Sequence, residues 1–174
     1  VEVEMMRHNH LIDPQLRIWG WEIPVYLFLG GLAAGLMVFS ALLALRNGHE
    51  RSRWLRWMPF AAPVIITLGM VALFLDLSLK AHVYRFYLIF RPSSPMSWGA
   101  WILVAIYPAT ILLGLVELTD DEADGLAGWG PLRVTRLGKL ALWLRREAAA
   151  YIKGLRWSNV VLGVALGGYT GILL

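Results

Sequence analysis

The chain has 174 residues, a formal net charge of +4, and a 58% hydrophobic composition with a mean hydropathy of +0.59. That is more apolar than an ordinary soluble domain, whose composition is about half apolar. It has no cysteine, which excludes disulfides, thiolate chemistry and iron–sulfur ligation from this chain, and His8, His10, His49 and His82 all lie off the apolar runs, which leaves no ligands for a haem or metal between buried helices.

The apolar excess is concentrated in four runs, 23–45, 57–75, 92–116 and 157–174. Each is close to the roughly 20 residues that cross a bilayer as a helix. They are too long for strands and lack alternation. The expected fold is an all-α integral membrane protein: a single up-and-down bundle of four transmembrane helices over 1–174, plus an amphipathic interfacial helix. The helices are expected at about 23–45, 58–79, 96–117 and 157–174, and the interfacial helix at about 132–153.

Residues 1–22 form a polar tail with a turn at Asp13-Pro14 and interfacial tryptophans at 19 and 21. The acids Glu2, Glu4 and Asp13 ahead of a long apolar run argue against a cleaved signal peptide. In helix 1, Gly31-x-x-x-Gly35 puts small residues on one face and allows close helix approach. The loop 46–58 is basic and ends in aromatics, which suits a solvated, lipid-anchoring connection. Helix 2 opens near Pro59 and Pro63 and carries Asp76 and Lys80 one turn apart at its end. Pro92 and Pro95 separate it from helix 3, which Pro108 interrupts and in which Glu117 snorkels to water near one end. The acidic, glycine-rich stretch 119–131 reads as an irregular turn. From 132 to 153, Leu137, Leu140, Ala141, Leu144, Ala148 and Tyr151 share a face ringed by Arg and Lys, the pattern of a helix on an anionic leaflet, or, second, of a docking helix. In helix 4, Gly163, Gly167 and Gly171 recur every four residues. No nucleotide-binding glycine loop stands out, and the basic patches suit lipid rather than nucleic acid.

The loops 46–56 and 119–156 hold eleven of the sixteen Lys and Arg residues. They share one side of the membrane, so that side is expected to be cytoplasmic, with the N-terminus and the 76–101 stretch outside. Four helix ends then meet at the outer face. They bring together Trp21, Glu22 and Tyr26, then Asp76, Lys80, His82 and Arg85, then Ser97 and Trp98, then Tyr169 and Thr170. Hydrogen-bond donors and aromatic walls opening onto lipid suit a membrane quinone. Histidine and carboxylates can carry the protons of its redox change. Each residue also has a plainer reading. Asp76 and Lys80 neutralise each other at i, i+4. Arg85 is a headgroup anchor, Tyr169 an interfacial aromatic, and Glu22 an acid favoured by the helix dipole.

Three motifs carry a family resemblance. Trp19-Gly-Trp-Glu-Ile-Pro-Val-Tyr26-Leu-Phe-Leu-Gly-Gly-Leu-Ala-Ala-Gly35 resembles the first-helix signature of the NrfD/PsrC family, the membrane subunits of polysulphide reductase-like complexes and of alternative complex III. Ser94-Pro-Met-Ser-Trp-Gly-Ala-Trp101 and Gly168-Tyr-Thr-Gly-Ile-Leu-Leu174 resemble the family's third- and fourth-helix signatures. The resemblance implies a multi-pass subunit of a bacterial or archaeal plasma (inner) membrane. It would bind exchangeable menaquinone or ubiquinone and have no haem, iron–sulfur cluster or metal of its own. A ferredoxin-like iron–sulfur subunit on the outer face would exchange the electrons, with a molybdopterin catalytic subunit beyond it. Carried over by motif, the pocket would include the Trp21–Glu22 region and Tyr169. From the convergence of helix ends, Glu22, Asp76 and His82 are the candidates for proton handling, and Trp21, Tyr26, Lys80, Arg85, Trp98, Tyr169 and Thr170 for the quinone pocket. The family's Asp-Leu-Gly-x-Pro-x-Arg after helix 2 is replaced here by Asp76-Leu-Ser-Leu-Lys-Ala-His-Val-Tyr-Arg85. Members also have eight or more helices, so the chain is expected to be the N-terminal part of a longer subunit. Half of a repeated-bundle transporter and a passive membrane anchor are the alternatives.

Overall fold

The structure, a computed structural model, describes residues 20–47, 52–76, 95–130 and 137–173. They form six helices: α1 (Glu22–Asn47), α2 (Arg53–Asp76), α3 (Pro95–Glu117), α4 (Asp120–Ala127), α5 (Leu137–Ala149) and α6 (Ile152–Leu173). No strand occurs among the described residues.

The four long helices close into a ring. α1 packs on α2 and α6, and α3 packs on those same two. Neighbours run antiparallel. Along α1 and α6, Gly30 meets Thr170 while Gly163 meets Ala34 and Met37. Along α3 and α6, Gly99 meets Tyr169, Ala109 meets Asn159, and Glu117 meets Arg156. Along α2 and α3, Phe60 meets Gly114 and Thr67 meets Tyr107. The up-and-down order expected of successive crossings is therefore the order found among the four long helices.

The core draws on all four: Ala33, Ala34 and Met37 from α1, Ala62 and Ile66 from α2, Leu103 and Ile106 from α3, and Leu166 from α6. Alanines and glycines line the α1–α6 seam, so the backbones approach closely. A Cβ on Gly163 would lie 2.8 Å from the Val38 side chain and 3.1 Å from the Ala34 carbonyl. Gly31 and Gly35, expected to serve this purpose, face open space instead, as do Gly168 and Gly171. The small-residue seam of α1 is set by Gly30, Ala33, Ala34 and Ala41, one face around from the Gly31–Gly35 pair.

The outside of the ring is apolar as well. Phe28, Leu32, Phe39, Val64, Leu68, Val104, Ile111, Val161 and Val164 are exposed. Helices apolar all round belong in lipid, where exterior leucines and valines cost nothing. Three of them are long and apolar enough to cross a membrane: 22–46, 53–75 and 97–117. α6 matches them in length but is less apolar, because Lys153, Arg156 and Asn159 occupy its first turns.

Three local expectations change. The stretch after Glu117 is a helix, not an irregular turn. Thr119 caps α4 with extended backbone angles and accepts from the Glu122 amide, while the Glu122 carboxylate accepts from the Thr119 amide, a complete capping box. α2 begins at Arg53, so part of the basic loop is helix. α6 begins at Ile152 rather than 157, and the preceding helix ends at Ala149 rather than 153. Positions 132–136 of the expected interfacial helix lie outside the described residues. The rest of it, α5, packs on α3 and α4.

Candidate functional site

The ring has two unlike ends. At one, the start of α1, the end of α2, the start of α3 and the end of α6 come together around two tyrosines. Tyr26 is 7% exposed and lies one turn into α1. Its side chain hydrogen-bonds that of Tyr169, which sits one turn before the end of α6. Gly99 makes room for the pair: the Tyr169 ring occupies the space a Cβ there would need, while a Cβ on Gly69 of α2 would lie in ordinary contact range of the Tyr26 ring. Thr170 is buried beside Gly30 and returns its hydroxyl to the Gly167 carbonyl at 2.9 Å, so it packs rather than presenting a donor to the bundle end. Ser97 is buried in the first turn of α3.

The sequence-predicted residues divide accordingly. Tyr26 and Tyr169 meet, and Thr170 and Ser97 are buried in the helix ends on the same side. Trp21 is 63% exposed and Trp98 is exposed too, as interfacial anchors are. Glu22 stands in the first turn of α1, where the helix dipole favours an acid, and its carboxylate folds back over Gly20. Asp76 is the last residue of α2. Lys80, His82 and Arg85 lie outside the described residues.

The other end is held by ion pairs that sequence reasoning did not foresee. Arg156 Nε donates to Glu117 Oε1 at 2.8 Å, and the two side chains are 9% and 6% exposed. Glu117 therefore does not snorkel to water; it ties α3 to α6. Arg56 makes a two-pronged contact with Glu122, Nε to Oε2 at 2.8 Å and Nη2 to Oε1 at 3.0 Å. The Arg56 hydrogen bonds hold the Glu122 carboxyl down at about 2, against partial desolvation, with help from the Thr119 amide and hydroxyl. Arg145 of α5 donates to Asp120 and to the carbonyls of Leu115 and Leu118 at the end of α3, a cation satisfying a helix C-terminus. Between the two ends, Asn159 Nδ2 donates to the Ala109 carbonyl at 3.0 Å, and Thr67 and Tyr107 share a hydrogen bond at 2.9 Å. One signal for the charged end was legible: Thr119-x-x-Glu122 is a capping-box spacing. The interhelical pairing of Glu117 with Arg156 had no local signal.

No cluster of three or more potential metal ligands occurs among the described residues. The molecule is thus an apolar helix bundle with a tyrosine pair at one end and a buried ionic clamp at the other. Residues 9–174 match the family model described as polysulphide reductase, NrfD, and the chain belongs to that family of membrane proteins. Among curated relatives, the polysulfide reductase C subunit of Wolinella succinogenes is 32% identical over 164 residues, covering 90% of this chain and 47% of that protein. Protein NrfD of Escherichia coli is 30% identical over 161 residues, covering 90% of this chain and 49% of that protein. The chain spans about half the length of these relatives. No solved structure matches it.

Proposed function

We propose that the chain is a quinone-handling portion of a membrane subunit in a respiratory oxidoreductase complex. The observation that carries this reading is the hydrogen-bonded pair of buried Tyr26 and half-buried Tyr169, where four helix ends converge in a member of the NrfD family. The name of the Wolinella relative, a polysulfide reductase subunit, supports its assignment to a reductase assembly.

A quinone requires donors for its carbonyl oxygens and flat apolar walls for its ring. Phenol hydroxyls donate to carbonyl oxygens, and tyrosine rings supply the walls. The glycine at 99 leaves the space that the Tyr169 ring occupies. Reduction to the quinol consumes two electrons and two protons. The electrons come to or from a ferredoxin-like iron–sulfur partner at the same face, with a molybdopterin subunit behind it, and the quinone itself, menaquinone or ubiquinone, supplies the redox chemistry. In this chain, Tyr26, Tyr169, Trp21 and Trp98 bind and orient the ring, and Thr170 seats the end of α6 against Gly30. Lys80 and Arg85 hold the mouth, and Glu22, Asp76 and His82 exchange protons with water. The face that carries the site is the outer one, with the N-terminus outside a bacterial plasma membrane. α6 completes a fourth crossing, because its polar first turns are internally paired through Arg156 and Asn159.

The test is steady-state quinone kinetics of the assembled complex with Tyr169→Phe, Tyr26→Phe and His82→Ala. Loss of quinone turnover with an artificial dye activity intact supports the site. Unchanged quinone kinetics in all three refutes it.

A further inference from the structure

Among the described residues, nothing packs over a largely apolar exposed arc of α5. One face of α5 is committed to protein. Gly138 abuts the Ala127 backbone at the end of α4, where a Cβ would lie 2.5 Å from the carbonyl oxygen, and Arg145 reaches back to Asp120, Leu115 and Leu118. Turning around the helix, Leu137, Leu140 and Trp143 are exposed, as is Tyr151 just beyond its end, and Leu144 and Ala148 are half-buried. Lys139 and Arg146 are exposed one residue away from this arc, and Lys153 is exposed at the start of α6. Glu147, the one acid on the helix, is exposed on the same side, one turn after Trp143 and one turn before Tyr151.

Position decides what covers such an arc. α5 packs against the last turn of α3, where one membrane-crossing segment ends at Glu117. The exposed Trp54 and Trp157 lie in the helix ends of this same side. A helix at that depth, apolar on one side, with a tryptophan on the flank and uncommitted cations beside it, has the composition of an interfacial segment. Pairing Arg145 internally removes it from the lipid-facing set and leaves Lys139, Arg146 and Lys153 pointing away from the protein.

We propose that α5 is a lipid-binding strap. Its Leu137–Leu140–Trp143–Tyr151 arc lies in the bilayer interface, and Lys139, Arg146 and Lys153 hold anionic lipid headgroups. This surface sits at the opposite end of the bundle from the tyrosine pair, so it stands or falls separately from the quinone reading. Each cation beside an anionic surface raises affinity by roughly 5-fold.

The chain has no cysteine, so a single label reports cleanly on its position within this chain. The full-length protein carrying Leu140→Cys is spin-labelled and reconstituted in phosphatidylcholine vesicles with and without phosphatidylglycerol. Collision with dissolved oxygen exceeding collision with an aqueous nickel chelate places residue 140 in the interface, as expected. Preferential collision with the nickel chelate, or shielding from both agents as a covering protein would give, overturns the proposal. In the same vesicles, the Lys139→Gln/Arg146→Gln/Lys153→Gln variant is expected to lose its preference for co-purifying phosphatidylglycerol by on the order of 10-fold or more. An unchanged preference removes the headgroup part of the proposal.

Discussion

The buried pair Glu117–Arg156 makes the sharpest prediction about stability. Its atoms are 2.8 Å apart and its side chains are 6% and 9% exposed, so neither charge is well solvated. At an effective dielectric near 20, charges about 4 Å apart attract by about 4 kcal/mol, most of which offsets their lost hydration. Removing one partner leaves the other charge buried and alone, at a cost of about 3–5 kcal/mol. The pair lies at the end of its helices, where a freed arginine can reach water, so about 3 kcal/mol is expected for Glu117→Leu. For a chain of this size that is a fall of roughly 6–12 °C in Tm. Replacing both, Glu117→Leu with Arg156→Met, removes the desolvation together with the attraction and returns stability to within about 1 kcal/mol of the original. The assay is thermal unfolding of the detergent-solubilised protein across the double-mutant cycle. If the single variants unfold like the parent, or the double variant shows the sum of two losses, the buried clamp is wrong.

Three further outcomes follow from the geometry. Glu122 has its carboxyl lowered to about 2 from 4.5 by Arg56, so its contribution to stability is full above about pH 5 and is lost as pH falls toward 2; Glu122→Gln is expected to lower Tm at pH 7 by roughly 2–4 °C, and the gap to the parent closes on acidification in the same pH titration of Tm. Gly163→Ala drives a methyl against the Ala34 carbonyl and the Val38 side chain, an overpacking worth about 1–3 kcal/mol, read as an earlier melting transition. Gly99→Ala displaces the Tyr169 ring, so it is expected to impair quinone turnover more than it lowers Tm, whereas Gly31→Ala, which faces open space, leaves both unchanged.

The all-helical class and the places of the long helices were legible because long apolar runs and prolines are local signals; the number of helices was not, since α4 was missed and three of the four expected crossings are long and apolar enough to span a membrane. α4 was misread because Asp120, Asp121 and Gly125 suggested a loop, although Thr119 and Glu122 already spelled its cap. The glycines were harder. Gly31 and Gly35 have the spacing of a packing face but point away, since which side of α1 is buried depends on where α2 and α6 lie, and that is tertiary information. The convergence of Tyr26 and Tyr169 was readable from topology alone, because antiparallel order puts the start of α1 beside the end of α6. Their hydrogen bond and the seat that Gly99 gives the Tyr169 ring were not. Glu117 looked like a snorkelling acid because its partner is 39 residues away in sequence. The site assignments of Lys80, His82 and Arg85 rest on sequence alone.

The location of the quinone is the point on which the account turns, and photolabelling measures it directly. The assembled complex is irradiated with an azido-quinone and digested, and the labelled peptides are mapped. The account predicts label in the 20–30 and 165–173 regions, displaced by excess unlabelled quinone and weakened by Tyr169→Phe. Displaceable label confined to the 52–60 and 115–145 regions, at the ion-paired end, would contradict it.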